Sequence, residues 1–129
     1  MSDNEIEKVL MVDDDANIRL ITEMSLKKLT KWHITVAASG HEALQAAEKD
    51  APDLILLDMM MPQMDGLTVF SELKTKLGDD MPKVILMTAK VQAHEVDHYK
   101  QLGAAGIISK PFDPMTLPDQ IRAIVNSEA

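Results

Sequence analysis

The chain has 129 residues, 46% of them hydrophobic and 26% charged, and its 13 Lys+Arg against 21 Asp+Glu give a net charge of −8. That length suits one domain with a real core, the composition argues against disorder, and the acidic balance repels phosphate backbones, so direct nucleic-acid binding is not expected. The chain lacks cysteine, which excludes disulfides, thiolate metal sites and Cys nucleophiles; Met1 to Lys8 is polar and acidic, unlike a signal peptide, and the longest apolar run, Leu54–Leu57, is far short of the ~20 residues that span a bilayer.

The first apolar run, Val9–Val12, leads into a stretch with helical spacing in which Ile18, Ile21, Ser25 and Leu29 share a face. Ile34–Ala37 follows, then Ser39-Gly40 opens a second helix with Ala43, Leu44 and Ala47 on one side. Pro52 precedes the third run, Leu54–Leu57; Met64-Asp65-Gly66 breaks the chain before a helix carrying Phe70, Leu73 and Leu77. Pro82 precedes Val84–Met87, and the next stretch repeats Ala93, Val96, Tyr99 and Leu102, a weaker helical match ending at Gly103 as C-cap. After Gly106–Ile108 come Pro114 and Pro118, and a proline inside a helix removes an i to i−4 bond. Regular helix is therefore expected only from about Leu117 or Pro118, with Leu117, Ile121, Ile124 and Val125 facing inward. Near-continuous Val/Ile/Leu runs alternating with amphipathic helices predict an α/β fold, a parallel sheet covered on both faces.

In such sheets, sites form beyond the carboxyl ends of the strands. The first run is followed by Asp13, Asp14 and Asp15, the third by Asp58, the fourth by Thr88, Ala89 and Lys90, and the fifth by Ser109, Lys110 and Pro111. Converging carboxylates repel and raise one another's pKa unless a cation joins them. All-oxygen ligation suits a hard cation, and Mg²⁺ favours one or two carboxylates, waters and a phosphate oxygen. Carboxylate nucleophile, metal, hydroxyl and lysine together are the parts of a phosphoryl-transfer site.

Val12-Asp13-Asp14, Leu57-Asp58-Met59-Met60-Met61-Pro62, Met64-Asp65-Gly66, Met87-Thr88-Ala89 and Ser109-Lys110-Pro111, in that order at their strand ends, closely resemble the response-regulator receiver domain of two-component signalling. The resemblance covers essentially the whole chain, a single receiver domain over 1–129 with its core at about 8–126. It implies a doubly wound, flavodoxin-like (βα)5 fold with strand order 2-1-3-4-5. It further implies that Asp58 accepts the phosphoryl group, that Asp13, Asp14, Asp58 and the main-chain carbonyl of Met60 hold Mg²⁺ (or Mn²⁺), and that Thr88 and Lys110 bind phosphoryl oxygens. Lys110-Pro111 is expected to be cis. The implied donor is a sensor histidine kinase or a histidine phosphotransfer protein. The implied readout is a changed surface, on the fourth helix, fifth strand and fifth helix, that engages a downstream protein. The resemblance also implies a module that is not an enzyme in its own right, has no direct nucleic-acid or membrane partner and works in the cytoplasm as a monomer or a weak dimer on phosphorylation, and no output domain is expected in this chain.

Two departures from the family pattern stand out. An aromatic residue often lies three before the lysine, and here that position is Ile107, so any switching uses an aliphatic side chain or a backbone shift. The positions that tune dephosphorylation are Met60 and Lys90; neither orients or deprotonates a water well, which predicts slow self-hydrolysis.

Plainer roles compete at several residues. Asp15 reads as a helix cap. Met59, Met60, Met61 and Met64 read mainly as packing, with an adaptable docking rim as the alternative. His94-Glu95-Val96-Asp97-His98 matches a zinc-peptidase pattern, but a third ligand at the usual spacing is missing, so an exposed helix face is expected; His33 and His41 read as structural or surface residues. A haloacid-dehalogenase-type phosphatase would use Asp13, Asp15, Thr88 and Lys110, yet the acidic pair after the lysine is absent. A flavodoxin-like FMN site would need a hydroxyl- and Gly-rich first loop, where three aspartates stand instead.

Overall fold

The computed structural model describes residues 6–60, 66–89 and 93–127. Five strands and five helices alternate: β1 (Lys8–Val12), α1 (Ala16–Leu29), β2 (His33–Ala37), α2 (Gly40–Lys49), β3 (Leu54–Asp58), α3 (Gly66–Leu77), β4 (Lys83–Thr88), α4 (Ala93–Gln101), β5 (Gly106–Ser109) and α5 (Leu117–Ser127), with one 3₁₀ turn at Gly78–Asp80. All four strand pairings are parallel, in the order β2-β1-β3-β4-β5. Placing β1 between β2 and β3 makes the order reverse between β1 and β3, and ligand crevices open at such a reversal.

Alternation along the central strands feeds two cores. Leu10, Val12, Ile55, Leu57, Val84 and Leu86 face α2 and α3, meeting Ala43, Leu44, Ala47, Val69, Phe70 and Leu73. Val9, Met11, Leu54, Leu56, Ile85 and Met87 face the opposite way, meeting Leu26 of α1 and Leu117, Ile121 and Val125 of α5. Burial of both strand faces is why these runs are apolar at consecutive positions rather than at every second one. The edge strand β2 is half-exposed, with His33 and Thr35 open to solvent.

The helix signals hold in detail. Ser39 accepts from the Glu42 N–H and the Glu42 carboxylate takes the Ala38 N–H, a reciprocal cap. Gly103, at φ +112, closes α4: its N–H bonds Lys100 O and the Ala104 N–H bonds Tyr99 O, the paired bonds of a Schellman motif. The last helix starts at Leu117, with Pro118 in the first turn, where the missing N–H costs nothing.

Two expectations need correction. In α1 the inward face is Thr22, Ser25 and Leu26, whereas Ile21 is 42% exposed. Ser25 is common to the expected and the observed face, and Ile18 is partly buried against the α1–α5 core. All five strands also extend beyond their apolar runs, so Asp58 is the last residue of β3, in register with Met87, rather than the first residue after it.

Candidate functional site: a buried carboxylate cluster at the strand ends

Each side chain reaches the site through the end of a strand. Asp13 continues β1 by one step, its N–H bonded to Ala37 O at 3.1 Å, and its carboxylate is fully buried. One oxygen, Oδ1, accepts the Asp15 N–H at 2.9 Å; the other, Oδ2, accepts the Lys110 ammonium at 2.6 Å. The Arg19 guanidinium holds the Asp13 carbonyl at 2.8 Å. Asp15 caps α1, accepting the N–H groups of Asn17 and Ile18, so the three aspartates divide their work: Asp13 inward, Asp14 exposed, Asp15 on the helix.

Asp58 is 2% exposed. Its Oδ1 accepts the Met60 N–H at 3.0 Å and lies 3.1 Å from Lys110 Nζ. Lys110 thus bridges Asp13 and Asp58, and it is placed by its own N–H, which bonds Thr88 O across the β4–β5 pair at 2.8 Å. The Lys110-Pro111 bond is cis, as the resemblance implies. Carboxylate oxygens of Asp13, Asp14 and Asp58 all lie within 4.8 Å of one another.

The electrostatics follow from this crowding. Burial pushes the Asp58 carboxyl above its ordinary value and the charge of Asp13 adds to the rise, while the Met60 N–H and Lys110 pull against them. For Lys110, burial pulls downward, but the hydrogen bonds and charges of Asp13 and then Asp58 outweigh it and leave the ammonium more firmly protonated than in water. Among the described residues, three carboxylates meet one ammonium, so the cluster they form is short of positive charge. Its donors are hard oxygens at a spacing one cation can share, which fits Mg²⁺ or Mn²⁺.

The other expected residues divide. Thr88 ends β4, half-buried and in register with Ser109 of β5. Ile107 is half-buried on β5 and packs toward the α2–α3 side. Met60 turns its side chain to solvent, 72% exposed, while Met59 is buried as packing. Lys90, Met61 and Met64 lie outside the described residues, and so does the side chain of His94; His98 is exposed on α4 beside Tyr99.

Two contributors escaped sequence reasoning. Arg19 sits one turn into α1, and nothing in its spacing marks it as the support of Asp13 O. Gly66 was legible as a chain break, but not its reason: a Cβ there would lie 2.7 Å from Asp58 O and 2.7 Å from Met59 Cα. The start of α3 presses on the backbone that carries Asp58.

The family profile of the response regulator receiver domain matches residues 9–122. This chain belongs to that family. The receiver is 37% identical over 123 residues to the probable transcriptional regulator ycf27 of Pyropia yezoensis, covering 95% of this chain and 49% of that protein. It is 36% identical over 116 residues to sporulation initiation phosphotransferase F of Bacillus subtilis, covering 90% of this chain and 91% of that one. Among solved structures, chemotaxis protein CheY4 of Vibrio cholerae superposes with a TM-score of 0.83 at 29% identity, covering 92% of this receiver and 98% of that chain. The receiver spans about half the length of ycf27-type relatives and nearly all of the phosphotransferase. Phosphorylation and magnesium at an acidic pocket are general features of the family, and response regulators receive their phosphoryl groups from histidine kinases. The match leaves the phosphatase and FMN readings without support. No helix among the described residues is long and apolar enough to cross a membrane.

Proposed function

We propose that this receiver takes a phosphoryl group onto Asp58 from the phosphohistidine of a sensor histidine kinase or a histidine phosphotransfer protein, and signals to a downstream protein through a changed surface. The observation that carries the reading is the buried Asp58 carboxylate, within 4.8 Å of Asp13 and Asp14 and 3.1 Å from an ammonium. A carboxylate oxygen of Asp58 attacks phosphorus in line, the phosphorus–nitrogen bond to imidazole breaks, and the imidazole leaves with a proton from solvent; an acyl phosphate remains. Asp13, Asp14, Asp58 and the Met60 carbonyl would hold Mg²⁺ or Mn²⁺, which would supply charge neutralisation at the phosphoryl oxygens.

Lys110 has the second role. Tied to Asp13 and Asp58 in the free protein, its ammonium is already at the place where negative charge develops, so little reorganisation is needed. The Thr88 hydroxyl, on the neighbouring strand end, donates to a phosphoryl oxygen. The added charge and acceptor oxygens then draw Thr88 and Lys110 and shift the β4–α4 and β5 region, with the aliphatic Ile107 following in place of an aromatic switch. Incubation with Mg²⁺ and acetyl phosphate or phosphoramidate, read by intact mass, tests this. Wild type should gain one phosphoryl mass and Asp58→Asn none, and the wild-type adduct should decay slowly once donor is removed. An unmodified wild type, or equal modification of Asp58→Asn, would refute the assignment.

A further inference from the structure

At the opposite end of the sheet lies a cleft of about 950 Å³ whose lining includes Lys8, Lys28, Lys31, Trp32, His33 and Arg122. Lys8 and His33 are the first residues of β1 and β2, while Asp13 and Asp58 sit at or past the carboxyl ends of their strands. Five residues at ~3.3 Å each put the cleft roughly 16 Å from the cluster. The two are separate sites.

The charge here is inverted. In a chain of net charge −8, four lysine or arginine side chains face one carboxylate, Glu7, in the lining. Lys8 is paired with Asp50 at 2.6 Å, and Arg122 lies 3.3 Å from Asp119. Lys28 and Lys31 have no carboxylate partner among the described residues and both are exposed. The lining also has apolar members, Ile6, Leu29 and Trp32; Trp32, 7% exposed, carries the Arg122 guanidinium over its ring at 5.3 Å.

We propose that this cleft binds a compact, phosphate-bearing polyanion. Two arguments select that class. A long polyanion would run past the cleft over a chain whose net charge is −8, whereas a small one stays within the ~8–10 Å over which these cations act at ordinary salt. A volume of about 950 Å³ is also of the size that holds a small molecule, ~300–1,000 Å³. Arg122 offers a planar fork suited to phosphate oxygens, and Lys28 and Lys31 contribute mobile point charges.

The probe is sodium pyrophosphate in metal-stripped buffer at constant ionic strength. Equilibrium dialysis measures binding, and emission from Trp32, the chain's only tryptophan, reports its location. Saturable binding with a change in emission is expected, weakened about tenfold or more by Lys28→Glu/Lys31→Glu, where two attractive charges become repulsive. The control Lys74→Glu/Lys100→Glu, on α3 and α4, makes the same change in net charge away from the cleft and should bind like wild type. Far-UV circular dichroism confirms that each variant is folded. Absence of saturable binding below about 10 mM, equal loss in both variants, or binding untouched by Lys28→Glu/Lys31→Glu would overturn the proposal, as would tighter binding of an oligoglutamate peptide than of pyrophosphate.

Discussion

Asp58 holds its position against an adverse local balance. It is 2% exposed, and removing a carboxylate from water is costly unless it is paired and hydrogen-bonded. The Met60 N–H and Lys110 meet part of that need, but Lys110 is shared with Asp13. The folded-state pKa of Asp58 is accordingly raised, first by burial and then by Asp13. The folded protein therefore binds this proton more readily than the unfolded chain does. The stability it contributes is present at low pH and is lost as pH rises through the folded-state value. Asp58→Asn removes the charge, keeps an acceptor for the Met60 N–H, and offers an amide N–H toward the other two aspartates. In metal-free buffer at neutral pH it should be more stable than wild type by about 1–2 kcal/mol, and the gap should close as pH falls through the carboxylate range. Thermal melts of both proteins across pH measure this; a less stable Asp58→Asn at neutral pH would contradict the account. At this scale the site was legible because a carboxylate directly after four apolar residues is unusual. Its dependence on Arg19, by contrast, involves a side-chain donor to a main-chain oxygen, which leaves no sequence signature.

The elements show why some faces can be read and others cannot. In α2, α3 and α5 the inward residues are the apolar ones, because charged residues mark the other side. In α1 the apolar residues outnumber the buried places: Leu20, Ile21 and Met24 are all exposed, while Thr22 is fully buried. Apolar spacing alone could not rank these faces, and Ile21 was placed inward when Thr22 holds the inner position. Glycines divide in the same way. At Gly66, the atoms that a Cβ would strike, Asp58 O and Met59 Cα, are backbone and cannot swing aside. Gly66→Ala should therefore destabilise by about 1–3 kcal/mol through overpacking, and it should also slow phosphoryl uptake because the displaced backbone carries Asp58. Gly78, at φ +53 with nothing within 4 Å of its would-be Cβ, has only a backbone preference to lose. Gly78→Ala should cost roughly 1 kcal/mol and leave uptake unchanged. Denaturant unfolding together with phosphorylation rates separates the two; equal effects on uptake would remove the link between the α3 start and the site.

Across the whole molecule, charge is segregated along the strand direction. Among the described residues, one end of the sheet gathers Asp13, Asp14 and Asp58 around Lys110, and the other gathers Lys8, Lys28, Lys31 and Arg122 around Trp32. The composition showed only their sum. The acidic end was legible because its members follow apolar runs; the basic end draws on residues from Lys8 to Arg122 that share no local pattern, and topology alone brings them together. The strand order itself came from family resemblance, since periodicity cannot say which parallel strands are neighbours. The acidic end carries the last expectation. Any ion bound only by the folded arrangement stabilises by RT ln(1 + [L]/Kd), about 2.7 kcal/mol at a hundredfold excess over Kd. At roughly 2–8 °C per kcal/mol for domains near this size, saturating Mg²⁺ should raise the melting temperature by several degrees or more. Simple screening of the net charge of −8 would also raise it, so NaCl at matched ionic strength is the decisive comparison. Coordination predicts an Mg²⁺ increment beyond NaCl that is largely lost in Asp13→Asn/Asp14→Asn, because that pair contributes two of the three carboxylates. Screening predicts equal increments from both salts and an unchanged response in the variant, and that result would leave the cluster without a metal-binding role.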